Sequence, residues 1–301
     1  MRLGLCLDPG RPWVDLAALA QRADASGWAS VYMCDHFMPA AGRSASVTDP
    51  VLEGWTALSA LAAMTGRIRL GTLVLGNAYR HPAVVANMAA TLDHVSAGRV
   101  VLGVGAGWQA NEHVAYGIDL LGVGQRLDRF AEACELIVRL LSEPPVSFAG
   151  EYYSLLDAPC EPRPVQSRLP VLVGGGGERR TMRIAARWAD EWHAWATPAA
   201  FRRKVEVLEG HCSDLGRDPS TLRRLTGQVV RVVKGGAGRN ADDDGSDDLV
   251  GTLDQVVDQL MRYREAGVDE FVVRDHRECS LPEAQAMVEA LAERANPLIG
   301  G

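Results

Sequence analysis

Short apolar runs of strand length alternate along the chain with longer stretches in which apolar residues recur every three or four positions. The strand-like runs are 2–7, 30–34, 68–75, 99–104, 170–173, 191–195, 226–233 and 270–274. Helical periodicity covers regions near 14–26, 51–65, 82–96, 125–142, 178–189, 199–215, 252–266 and 282–295. Eight strands, each followed by a helix, is the arithmetic of a closed α/β barrel, a (β/α)8 TIM barrel spanning 1–301 as one domain. An open doubly wound sheet also alternates, but its G-x-G-x-x-G fingerprint is absent after the first strand.

Two segments exceed a minimal barrel. Residues 143–169 are proline-rich with a short aromatic patch, and read as an excursion carrying a small hairpin. Residues 235–248 are glycine and aspartate with nothing more apolar than alanine, which predicts an acidic surface loop whose charges are solvated. The helices near 51–65 and 82–96 are apolar or small nearly all the way round, where a barrel helix should keep one polar face. That pattern predicts a homodimer packed through the two helices.

Composition narrows the partners. A formal net charge of −7 and a pI near 5.5 argue against nucleic acid or an anionic membrane surface. No apolar run approaches bilayer length, and the N-terminal "MRLGLCLDPG" lacks a signal-peptide core, so a cytoplasmic location is expected. The six cysteines are scattered without a C-x-x-C pair, and the histidines lack metal-ligand spacing, so no metal is expected.

In a barrel, chemistry belongs at the C-terminal ends of the strands. Those ends carry Asp35 and His36, then "GNAYRHP" (76–82) with Tyr79, then "GAGWQANE" (105–112), then four glycines, Gly174 to Gly177. A histidine there is a candidate general acid or base, or a structural group bonded to a carbonyl. Gly107 lies past its apolar run, where a bare backbone admits a flat ring. A glycine loop opening a helix exposes N–H groups to an anion, and Glu178 and Arg179 follow directly in "VGGGGERR". A phosphate cradle is the stronger reading of that stretch.

Taken together, "YMCDHF", the block from Val51 to Trp108, "YYSLLDAPCEPRPVQ" and "PVLVGGGGERRTMRIAARWADEW" resemble the luciferase-like flavin and deazaflavin oxidoreductases over essentially the whole chain. The subgroup most similar uses coenzyme F420. The resemblance implies a luciferase-like barrel, usually dimeric, with the deazaflavin at the strand C-terminal ends. It implies that Asp35 and His36 contact the ring or flank its hydride-transfer face, and that Leu73–Val74 aligns with a non-proline cis peptide behind the ring. Asn111 matches a position that hydrogen-bonds the ring edge. Gly174 to Gly177 match the loop holding the cofactor phosphate, with the neighbouring arginines near its acidic tail.

One departure matters. Where some F420-dependent sugar-phosphate dehydrogenases carry a glutamate proton donor, this chain has Trp108. With Trp13, Tyr79, Trp192 and Trp195 it suggests an apolar or aromatic substrate pocket instead. The resulting expectation is an F420-dependent oxidoreductase that reduces a C=C or C=N bond of a small molecule, with His36 as proton donor or acceptor and Tyr79 as second candidate. The alternatives are an FMN-dependent two-component monooxygenase on the same fold and a non-catalytic flavin-binding protein.

Overall fold

The computed structural model describes residues 1–39, 46–233, 235 and 248–299. The acidic stretch 235–248 therefore lies, apart from its two ends, outside the described residues.

Alternation builds the barrel. In β1 (Arg2–Leu7), Leu3, Leu5 and Leu7 pack outward under the helices while Cys6 points into the barrel. The same two-sidedness recurs in β2 (Ser30–Met33), where Val31 and Met33 face out and Tyr32 faces in. It recurs again in β5 (Val100–Gly105) and β12 (Glu270–Arg274). These strands join β3 (Arg69–Thr72), β8 (Val171–Gly174), β9 (Glu191–His193) and β10 (Arg223–Val232) in one ring. Among the described residues, eight parallel strands close it in the order β1-β2-β3-β5-β8-β9-β10-β12, with β12 pairing back onto β1. The helices α1 (Trp13–Ala25), α2 (Gly54–Met64), α3 (Pro82–Val95), α4 (Ala110–Tyr116), α5 (Val123–Ser142), α6 (Thr181–Trp188), α7 (Pro198–Asp214), α8 (Leu253–Glu265) and α9 (Leu281–Ile299) follow in chain order. None among the described residues is long and apolar enough to cross a membrane.

The barrel interior is layered. At the N-terminal end, buried Glu191 and Glu270 meet Arg69 and Arg223: Arg69 reaches Glu191 at 2.5 Å, and Arg223 reaches Glu191 at 2.8 Å and Glu270 at 3.0 Å. Ser30 and Tyr32 also donate to Glu270. Above this ionic plug lies an apolar layer that includes Tyr32, Val101, Leu172 and Val272. The C-terminal end is left open for a site.

Several boundaries differ from the sequence pattern, each for a tertiary reason. The run 68–75 divides into β3 and the two-residue β4 (Leu75–Gly76) around Leu73–Val74, a cis peptide bond. Gly103, Gly105 and Gly174 answer this bulge, because a Cβ at any of them would come within 3.2 Å of a Val74 methyl. Gly103 is further excluded from larger residues by the Thr72 carbonyl at 1.8 Å, so the bare face of β5 serves close strand packing. The helix expected from 178 begins only at Thr181, because Glu178, Arg179 and Arg180 first form a turn in which Met182 N–H donates to the Gly177 carbonyl at 3.0 Å. The 143–169 excursion carries the expected hairpin, β6 (Val146–Ala149) with β7 (Ser154–Ala158). A short strand, β11 (Asp248–Gly251), extends β10 beyond the ring.

Candidate active site

A cavity of about 620 Å³ opens at the C-terminal ends of the strands. Its wall includes Asp35, His36, Leu73, Val74, Tyr79, Gly107, Trp108, Gly174, Gly175, Gly176 and Trp195, which the sequence had pointed to separately. A second chamber of about 120 Å³ adjoins it and shares Cys34, His36, Trp108 and Arg274 with the larger one.

His36 follows β2, so the strand ladder fixes its backbone at the cavity mouth. Its Nδ1 lies 2.8 Å from Oε1 of Glu112, a fully buried carboxylate on α4. The same oxygen accepts from the Tyr79 hydroxyl, and the other Glu112 oxygen accepts the Phe37 amide at 3.0 Å. Burial alone would lower the His36 pKa, but the Glu112 hydrogen bond, with Cys34, the Glu112 charge and Asp35 behind it, raises it overall. Burial would likewise raise Glu112, yet its bonds to His36, Tyr79 and Phe37 hold it below the ordinary carboxylate range. Tyr79 is pushed up by burial and then by Glu112, so it stays a phenol and a hydrogen-bond donor. The Trp108 ring meets the His36 ring edge-on at 5.5 Å, confining it further.

Asp35 lines the cavity, but its carboxylate is taken up internally. Arg80 holds it at 2.8 and 3.0 Å, and the Gly76 amide donates at 2.9 Å. Arg80 also reaches Glu53, at 2.5 Å, and Glu53 caps α2. Asp35 thus fastens the loop after β4 to the end of β2.

On the opposite wall the glycine loop leaves β8. Gly175 takes φ +133°, a backbone region open to glycine, while its amide donates to the His193 carbonyl at 2.8 Å. Lys204, on α7, donates to the Gly176 carbonyl at 2.9 Å and brings a cation to the loop. His193 is buried in the cavity wall, and burial lowers its pKa to about 3, so it is a neutral imidazole. Its Nε2 has no hydrogen-bond partner among the described residues.

Other candidates fall elsewhere. Trp192 faces outward from β9, donates to the Gly175 carbonyl at 3.0 Å and stacks on Phe201, because alternation along the strand turns its neighbours Glu191 and His193 inward instead. Trp13 starts α1 and packs against the helix-side core. Asn111 gives its amide to the Pro39 carbonyl at 3.0 Å and does not line the cavity. Glu178 pairs with Arg203 at 2.6 Å and Lys204 at 3.2 Å. Arg179 is exposed on the turn, and Gly177 stands beside the cavity wall without lining it. Conversely, Glu112, Arg80 and Lys204 belong to the site without having been singled out, whereas His193 was among the strand-end residues expected at that face. The signal available for Glu112 was an acid within the glycine-rich segment that follows a strand.

On the outer face, α2 and α3 frame a groove of about 590 Å³ lined by Trp55, Val84, Met88 and Val95. Val84 and Val95 are each 52% exposed there.

The sequence profile of the luciferase-like monooxygenases matches residues 2–234. An uncharacterized protein of Mycobacterium tuberculosis is 31% identical over 277 residues, which cover 88% of this chain and 96% of that one. The F420-dependent glucose-6-phosphate dehydrogenase of Kineococcus radiotolerans is 41% identical over 163 residues, 54% of this chain and 47% of that protein, so this chain matches about half of that relative. Among solved structures, an F420-dependent secondary alcohol dehydrogenase in complex with an F420–acetone adduct superposes with a TM-score of 0.84 at 21% identity, over 99% of this chain and 98% of its own.

Proposed function

Because the chain belongs to the luciferase-like monooxygenase family, we propose that it is an oxidoreductase binding coenzyme F420 in the larger cavity and exchanging a hydride with a small organic substrate. The observation that carries this is one wall bearing a protonatable His36 held by buried Glu112, facing another floored by Gly174, Gly175 and Gly176. The residues present fit such a cofactor. A cavity of about 620 Å³ has room for a tricyclic ring and its tail. Lys204, held by the Gly176 carbonyl and Glu178, places a cation beside the glycine loop for a phosphate, and the orphaned His193 Nε2 offers a polar partner to the ring.

The deazaflavin, when bound, supplies or accepts the hydride. The protein's own part is positional and protic. Glu112 engages Nδ1 of His36, which leaves Nε2 as the nitrogen to give or take a proton at the substrate. Reduction of a C=C or C=N bond suits that arrangement. Trp108 and Trp195 give the larger cavity aromatic surface for the substrate. We further infer a homodimer closed through the groove between α2 and α3.

The test is a titration of the full chain with oxidised F420 and with FMN, followed by consumption of each reduced form with and without oxygen. F420 is expected to bind and to be consumed without oxygen. Tight FMN binding with no F420 affinity would assign the two-component monooxygenase instead. H36A is expected to lower turnover by ~10²-fold or more with little change in F420 affinity.

A further inference from the structure

We propose that the smaller chamber is a subsite for the carboxylate of a small organic acid, with Arg274 as its cation and specificity-determining residue. The proposal rests on the reading that the larger cavity holds the cofactor.

The chamber wall carries several ionic groups, and nearly all are satisfied within the protein. Asp275 is held by Arg11 at 2.6 and 2.8 Å. Asp8 accepts the Gly10 amide at 2.8 Å and the Arg277 amide at 3.1 Å, and lies 3.5 Å from the Arg277 guanidinium. Arg277 is shared with Asp49 at 3.6 Å, and His36 is taken by Glu112. Arg274 differs. It is half-buried at the junction of the two cavities, and its guanidinium sits over the Trp195 ring, with 5.9 Å from guanidinium carbon to ring centroid. Among the described residues no carboxylate lies within ion-pair distance of it. A guanidinium removed in part from water and left without an anion is an incomplete pair, and a ligand carboxylate completes it bidentately.

Size and charge narrow the ligand class. About 120 Å³, walled by Leu7, Pro9, Met38 and Val51, holds a short hydrocarbon acid. Asp8 and Asp275 flank the same space, so a second negative charge is disfavoured and a monoanion fits better than a phosphate dianion. A carboxylate anchored on Arg274 sets the rest of the molecule against His36, across the opening to the larger cavity.

Isothermal titration of the full chain, with F420 present and absent, tests this using crotonate, the neutral crotonamide of the same shape, and inorganic phosphate. Crotonate is expected to bind at least ~10-fold tighter than either comparator, with R274Q erasing that preference and R274K restoring part of it. F420 affinity is expected to be unchanged in R274Q. Equal binding of crotonamide, preference for phosphate, or absence of crotonate binding to protein that binds F420 would overturn the subsite. So would a loss of F420 affinity in R274Q, which would place Arg274 in the cofactor's site. If F420 fails to bind while crotonate still depends on Arg274, the cofactor reading falls and the carboxylate subsite stands. Should R274Q not fold, R274K and the crotonate-to-crotonamide ratio of the natural chain decide.

Discussion

Glu112 sets the state of three groups from one buried position: the His36 ring, the Tyr79 hydroxyl and the Phe37 amide. E112Q removes the charge while keeping most of the volume. Burial then acts on His36 against only Cys34 and Asp35, so its pKa should fall from its present position above the ordinary imidazole value. The pH–rate profile should lose its protonated-histidine limb toward acid, and turnover at neutral pH should drop ~10²-fold or more. The linkage runs the same way. A raised His36 pKa stabilises the fold fully below the unfolded value, and that contribution is lost as pH rises through the folded one. Denaturant midpoints of natural and E112Q protein, measured either side of pH 7, check this.

His193 has the opposite sign. Its folded pKa, lowered to about 3 by burial, means that stability is intact above the unfolded value of ~6.5 and declines as pH falls from there toward 3. Replacing it with glutamine should flatten the acid limb of a stability–pH curve over that window. If the limb is unchanged, His193 is not the buried neutral base described above.

At the scale of elements, alternation made the strands legible, and the spacing of strands and helices made the ring legible. What alternation alone did not show was which face turns inward. The sequence 191–193 offers Glu, Trp and His, and the aromatic looks like the pocket residue, yet the buried glutamate and histidine occupy the barrel interior. The acid turns inward because Arg69 and Arg223 wait there, contributed by strands that are 122 and 32 residues away. Glu112 was hidden for the same reason, since its partner His36 is 76 residues distant. The glycine loop shows a further limit. Its glycines were conspicuous, but its cation, Lys204, comes from α7 and contacts Gly176 from 28 residues away. The loop's role can be separated from its fold. A Cβ at Gly176 would meet the flexible end of the Lys204 side chain, at 3.3 Å, and the Ala194 Cβ at an ordinary 3.6 Å, so G176V should fold. It should nevertheless raise the F420 dissociation constant ~10-fold or more by filling the cradle. K204Q should weaken F420 and flatten the salt dependence of binding. Unchanged affinity in both variants would remove the phosphate from this loop.

For the molecule as a whole, the helices near 51–65 and 82–96 were legible as over-apolar, and the groove between α2 and α3 supplies the corresponding surface. V84E places a charge on a side chain that is 52% exposed, so the monomer should fold normally. Sedimentation velocity should show a dimer for the natural chain and a monomer for V84E. A natural chain that sediments as a monomer would remove the dimer. The ionic plug and the cavity occupy opposite ends of the same strands, so damage at one end should be separable from damage at the other.

Arg11 sits beside the seam of the barrel. A ring of strands has one join between its first and last members, here the β1–β12 ladder from Arg2↔Glu270 to Cys6↔Arg274. Just past the ladder, Arg11 fastens the β1 loop to Asp275 and to the carbonyls of His276 and Cys279, at 2.8 and 2.7 Å. Asp8, Asp275 and Arg274, on the two sides of that join, are also walls of the small chamber. Under the proposed subsite, ligand binding in the chamber and closure of the ring are therefore linked equilibria. A molecule seated in the chamber acts as a rivet across the seam, and the seam's reluctance to part, read by hydrogen exchange along β1 and β12, becomes a gauge of what the chamber holds.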